Sequence, residues 1–175
     1  YKFYLTVKDA DMERVFDPIA HMDTYLKWNA AIEDVSIKNL IRSENTAIVY
    51  QKHKAYSKIY RPRDFIFLRH VFKKDNNLYM VDKSLENANY PPFLTIVRGE
   101  LTCVWGILNS KEHIFVAADI EIKNQGYLNE GQDHNLSMMY LKGLFNIPSY
   151  LMQKGFRKDE SVYRMFDLDW DIANN

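Results

Sequence analysis

RPRDFIFLRH, residues Arg61 to His70, decides the fold. Successive strand side chains point to opposite faces, so Phe65, Phe67, Arg69 and, just beyond, Val71 share one face of a half-buried strand. That places a guanidinium among rings and branched aliphatics. Arginine cannot shed its proton, and an unpaired buried charge costs several kcal/mol. Arg69 therefore either snorkels past the sheet edge to water or meets a partner inside.

Working outward, Lys2 to Lys8 alternates strictly, with Phe3, Leu5 and Val7 on one side, and reads as a strand. From Asp11 to about Trp28 the period becomes helical through Val15, Phe16, Ile19, Met22 and Leu26. Asp11 can cap this segment, while Pro18 and the Met22–Asp23 step divide it into two short helices. Strands follow near Val35 to Ile41, Ala47 to Ala55, Asp64 to Lys73, Leu78 to Lys83, Ile96 to Leu108 and Glu112 to Ile122. The links Arg42 to Asn45, Asp75 to Asn77 and Asn109 to Lys111 are short enough for hairpins, which makes these neighbours antiparallel. From about Gln132 to Lys154, Leu136, Met139, Tyr140, Gly143, Leu144, Ile147 and Leu151 form one face of a long helix, interrupted at Pro148. One strand, two helices, a run of antiparallel strands and a covering helix describe an α+β domain with a curved sheet. Periodicity leaves open whether such a sheet encloses a solid core or a hollow.

At 175 residues the chain is about one domain and can bury about 70% of its extended surface. With 47% hydrophobic and 26% charged residues it is globular, and its 12 Tyr and 10 Phe are unusually many. Lys+Arg and Asp+Glu both total 23, so no overall field draws the chain to nucleic acid or to an anionic membrane. The single cysteine, Cys103, leaves no disulfide framework and suits a reducing compartment. No apolar run approaches the length of a membrane span. The opening at Tyr1, directly into a strand, reads as a fragment of a longer protein. The acidic stretch after Gly155, with Tyr163, Phe166 and Trp170 at helical spacing, is either a docked helix or a tail.

Catalytic signals are thin. His21, His53, His70, His113 and His134 show no metal-binding spacing, and one cysteine makes no zinc cluster. No nucleophile elbow, P-loop or dinucleotide fingerprint occurs. Asp119 and Glu121 share a strand face, where an outward, solvated pair is favoured over acid–base work. Arg98 and Glu100 are either a solvated stripe or part of a structural ion pair.

Four short motifs follow one another in order: Arg63-Asp64-Phe65; Ser84 and Glu86; Pro91-Pro92; and Val97-Arg98-Gly99-Glu100, with Trp28-Asn29 upstream. The set resembles the START family, the StAR-related lipid-transfer domains, over about Tyr1 to Gly155. The resemblance implies a helix-grip fold, a curved antiparallel sheet wrapped around a long C-terminal helix with an internal hydrophobic tunnel. It divides the chain into a lipid-binding domain, 1–156, and an acidic extension, 157–175. Two departures stand out: "DIEIKNQGYLNEGQD" before the last helix is longer than the family pattern and lacks its proline, and the family's first helix is missing.

What the resemblance implies for function is non-catalytic binding of a single lipid, for transfer between membranes or for sensing, with no cofactor and no metal. The alternative is a regulatory domain of a larger protein with the lipid as a switch. The partners expected are the lipid and, transiently, a membrane touched by the C-terminal helix and the Asn87 to Leu94 loop, with no nucleic acid, in a cytoplasmic monomer. In the family the arginine at the place of Arg69 points into the tunnel, meeting an acidic side chain or the polar end of the ligand. Sterol-binding relatives supply the acid from the preceding strand, but "AIVYQKHKAY" offers Tyr50, Gln51 and His53 instead. The partner is therefore expected from the ligand, which favours a phospholipid over a sterol, with Tyr79 and Trp105 for a choline-like cation. Asp82 or Glu121 from a neighbouring strand is the other source. The expected ligand-binding set is Arg69, Phe67, Tyr50, Tyr79, Trp105, Met139, Leu144 and Ile147.

Overall fold

The computed structural model describes residues 1–8, 10–55, 57–110 and 112–153, so the acidic extension expected after residue 156 lies outside the described residues. The chain runs β1 (Lys2–Lys8), α1 (Met12–Ala20), α2 (Met22–Trp28), β2 (Ile32–Ile41), β3 (Thr46–His53), β4 (Arg63–Lys74), β5 (Asn77–Ser84), β6 (Val97–Arg98), β7 (Glu100–Asn109), β8 (His113–Lys123), α3 (Glu130–Leu144) and α4 (Ile147–Gln153). The strands form one sheet in the order β1-β8-β7-β5-β4-β3-β2, every neighbour on this path antiparallel.

β1 and β2 are the two edges, so the α1–α2 connector must cross the whole sheet. It does so over the inner face, where α1 packs on β5 and β7, and α2 on β2. Asp11 caps α1 by accepting from the Arg14 amide at 2.8 Å. The Pro18 carbonyl accepts from both Thr24 Oγ1 and Trp28 Nε1 at 2.8 Å, which holds the two helices against each other. α3 follows β8, starts in a capping box between Asn129 and Gln132, and joins α4 in covering the same face.

The core lies between this helical layer and the inner sheet face. Phe16, Tyr25, Phe65, Phe67 and Trp105 are each exposed by 1% or less. The β4–β5 hairpin turns on Asp75 and Asn76, at φ 50° and 59°, a two-residue link that needs the left-handed region at both positions.

Two expectations change. The strand expected from Ile96 to Leu108 is two pieces: β6 pairs with β4 in parallel, and β7 pairs with β5 and β8. Gly99 lies between them, where a Cβ would come within 2.5 Å of the Phe65 ring. The long helix divides at Phe145–Asn146 rather than at Pro148. Pro148 sits in the first turn of α4, where no backbone donor is needed. Among the described residues no helix is long and apolar enough to cross a membrane.

Candidate lipid site

Strand register places Arg69 opposite Asp82, and both side chains face the interior. The guanidinium is fully buried and forks onto the carboxylate, Nε to Oδ1 and Nη2 to Oδ2, both at 2.7 Å. Nη1 donates to the Ala20 carbonyl at 2.7 Å, and Nη2 also donates to the Tyr25 hydroxyl at 2.9 Å. Both acceptors come from the α1–α2 connector, so the ion pair pins that connector to the sheet. Burial works against the Arg69 charge, but Asp82 and then Tyr25 outweigh it and raise the guanidinium above its ordinary range. Burial likewise pushes the Tyr25 hydroxyl up to about 12, so it donates or accepts as a neutral group. The partner expected from a ligand is thus supplied by the protein, and the ground for preferring a phosphate at Arg69 falls away.

The expected ligand-binding residues divide by face. Arg69, Phe67, Trp105, Leu144 and Ile147 are buried in the interior, and Met139 is half-buried on α3. Tyr79 is on the outer face of the sheet, stacked on Phe72 with ring centroids 5.2 Å apart. Tyr50 is also on the outer side, with Lys38 Nζ 5.0 Å over its ring. Burial, then the carboxylates of Asp64 and Asp34, push its hydroxyl up to about 12. Neither tyrosine can line an interior tunnel, because β3 and β5 turn these positions outward.

Residues from three of the four motifs tie the chain together around β6. Arg98 forks onto Asp64, Nε to Oδ1 at 2.7 Å and Nη2 to Oδ2 at 3.1 Å, and its Nη1 reaches the Tyr90 carbonyl at 3.2 Å. Arg98 is therefore in a structural ion pair, not a solvated stripe. Arg63 donates to the carbonyls of Asn124, Arg61 and Gln125, tying β4 to the loop before α3. Ser84 Oγ accepts from the Leu101 amide at 2.7 Å, where β5 leaves and β7 begins. Asp119 and Glu121 are both exposed, as a solvated pair is.

Sequence reasoning looked for the acid of Arg69 on the preceding strand and weighed Asp82 second; Tyr25 and Ala20 it did not connect to Arg69 at all. The two-residue turn at Asp75–Asn76 was the usable signal for Asp82, since it fixes the register of the whole hairpin. Deeper along β3, Gln51 and His53 face the core side by side, Gln51 Nε2 lying 2.6 Å from His53 Nε2. His53 stacks on Tyr140 of α3, centroids 4.8 Å apart and 10° between planes.

A groove of about 380 Å³ opens between β1, the start of α1 and α4. Leu5, Val7, Ala10, Val15, Pro148, Leu151 and Met152 give it an apolar wall, and Thr6, Lys8 and Arg14 complete it. Arg14 is paired with Asp11 at 3.0 Å. Among the described residues no group of three or more His, Cys, Asp or Glu could hold a metal ion.

No curated protein sequence matches the chain. Human StAR-related lipid transfer protein 5 superposes with a TM-score of 0.76 at 18% identity, over 87% of this chain and 74% of that one. Human STARD10 superposes with a TM-score of 0.71 at 17% identity, over 87% of this chain; the chain thus spans only 64% of that structure. A Streptomyces sp. R1128 aromatase/cyclase, at a TM-score of 0.58 and 12% identity over 88% of this chain and 94% of its own, shows that an enzyme can be similar in fold. At such identities these likenesses concern the fold alone. The sequence itself carries the assignment: the START domain family model matches residues 4–112, the stretch that holds Trp28-Asn29, the Arg63–Phe65 motif, Ser84 and the Asp64–Arg98 clip, and the chain belongs to that family.

Proposed function

We propose that the domain binds one lipid between the inner sheet face and the α3–α4 cover, without covalent chemistry, for transfer between membranes or for sensing. The observation that carries this reading is the apolar groove under α4, whose volume of about 380 Å³ lies within the usual range of ligand pockets, about 300–1,000 Å³. Burying a hydrocarbon chain there gains about 25 cal/mol for each Å² removed from water. Beyond it lie the buried core side chains of Phe16, Phe67 and Trp105, and a lipid reaches them by displacing α4 and then α3. The break at Phe145–Asn146 allows that while leaving the sheet ladder intact.

Membrane contact is supported beside the Arg63 end of β4. There Ile59 is 83% exposed, Phe93 62% and Leu94 95%, on two loops joined by the bond from Arg61 Nη1 to the Leu94 carbonyl at 3.2 Å. Exposed Lys54, Lys58 and Arg61 flank them, a composition suited to a lipid surface with some anionic headgroups. This adds Ile59 to the contact expected of the Asn87 to Leu94 loop.

Native mass spectrometry of the domain after incubation with mixed-lipid vesicles tests the function. One lipid of unchanged mass per chain is expected. Turnover of a lipid ester, or protein that stays lipid-free over every vesicle composition, would overturn it.

A further inference from the structure

β1 is a free sheet edge: among the described residues the only strand it pairs with is β8. Tyr1 and Ile120 exchange both backbone hydrogen bonds at 2.8 Å, and antiparallel alternation then gives Phe3, Leu5 and Val7 the further bonds to β8. The N–H and C=O groups of Lys2, Tyr4, Thr6 and Lys8 therefore point away from the sheet, and all four residues are exposed. Such an unpaired row is a template for one more strand. The two faces of β1 differ. Leu5 and Val7 turn inward to the apolar groove and are only half-buried there, while the outward row holds Lys2 and Lys8 and no carboxylate.

The chain itself carries a segment that fits. Beyond the described residues the sequence continues from 154 to 175, and Phe166-Asp167-Leu168-Asp169-Trp170-Asp171-Ile172 alternates apolar and acidic residues without a break. A helix would set Leu168 and Ile172 about 200° around from Phe166 and Trp170, whereas a strand puts all four on one side and the three aspartates on the other. β1 is 7 residues long, the length of this alternating run. The direction of approach follows from α4. Phe145, at the end of α3, lies edge-on to Phe3 with ring centroids 6.3 Å apart, and Leu151 and Met152 reach the groove beside Val7 and Lys8. α4 thus runs toward the Lys8 end of β1, and residues 154–165, spanning up to about 3.3 Å each, are ample for a return along the edge.

We propose that residues 166–172 add to β1 as an antiparallel edge strand that starts at the Lys8 end. Phe166, Leu168, Trp170 and Ile172 then close the groove over Leu5 and Val7, and Asp167, Asp169 and Asp171 join the outward row, Asp167 beside Lys8. The edge amides gain acceptors, and apolar side chains of both partners leave water. The same groove is assigned above to a lipid, so strand and lipid exclude one another; that consequence rests on the lipid-binding reading, while the docking itself does not.

The test is residue-resolved amide exchange by NMR on the full chain, without lipid. The Tyr4 and Thr6 amides should exchange at least about a hundredfold more slowly than unstructured amides. Asp169→Pro removes one ladder donor and should return both to unprotected rates while Phe3, Leu5 and Val7 stay slow. Leu168→Ser with Trp170→Ser should do the same without a proline. Unprotected Tyr4 and Thr6 in the wild type overturn the proposal. So does protection that survives both variants, or that falls on dilution, since a second copy would then be covering the edge. Once dioleoylphosphatidylcholine vesicles are added and lipid is bound, Tyr4 and Thr6 should lose their protection; protection kept with lipid bound overturns the exclusion of one by the other.

Discussion

At the scale of single residues, the interior charge of Arg69 is tied to stability through four hydrogen bonds: two to Asp82, one to the Ala20 carbonyl and one to Tyr25. Arg69→Leu strands a buried carboxylate and should destabilise the domain by about 3–5 kcal/mol in urea denaturation, whereas Arg69→Leu with Asp82→Leu should recover most of that loss. Equal losses in the single and double variants would mean that the pair is not coupled. His53 gives a pH dependence. Its folded value of about 3 lies below its ordinary 6.5, so between those two values the unfolded chain binds the extra proton and stability falls as pH falls. The slope is at most about 1.4 kcal/mol per pH unit, and His53→Phe should flatten it in urea midpoints compared at pH 7 and pH 5. The place of Arg69 on an inner face was legible from alternation alone. Its partner was misassigned because the acid was sought on the preceding strand, although counting outward from Asp75–Asn76 already sets Asp82 opposite Arg69. Tyr50 and Tyr79 were misplaced for a related reason: their aromatic character suggested a tunnel, but strand parity turns them outward.

At the scale of elements, hairpins and helices could be read from period and turns, whereas breaks that depend on tertiary neighbours could not. Gly99 divides β6 from β7 because the Phe65 ring occupies the place of a side chain, a contact between residues far apart in sequence. Gly143 is similar. A Cβ there would fall 2.1 Å from Asn29 Oδ1, and Asn29 in turn donates to the Tyr140 carbonyl at 3.3 Å and accepts from the Ala31 amide at 3.1 Å. Alanine is the better helix former by about 1 kcal/mol, yet Gly143→Ala should lower stability by about 1–3 kcal/mol through this overpacking. Adding Asn29→Ala should remove most of the steric part, which a double-mutant cycle by thermal denaturation measures. The short α4, separated from α3 at Phe145–Asn146, should be the weakest part of the cover. Hydrogen exchange with vesicles present should quicken in α4 first and α3 next, with β4 still protected. Cover and strand equally protected would mean that the gate lies elsewhere.

At the scale of the whole molecule, the two proposed contact regions fall at different places on one sheet. The apolar groove lies by β1 and α4, and the exposed Ile59, Phe93 and Leu94 lie at the Arg61 end of β4. Phe93→Ser with Leu94→Ser should weaken co-sedimentation with vesicles without shifting the thermal midpoint, because both side chains are already in water. The most direct test of lipid binding beneath the helices is photocrosslinking with a lipid that carries a diazirine in its acyl chain, the labelled peptides then being located by mass spectrometry. Label on the inner-face and groove segments, around Leu5–Val7 of β1, Phe65–Phe67 of β4 and Pro148–Leu151 of α4, is expected at one lipid per chain. Label confined to outer-face residues such as Phe72, Tyr79 and Phe115, or absent at every lipid concentration, would contradict an interior lipid site.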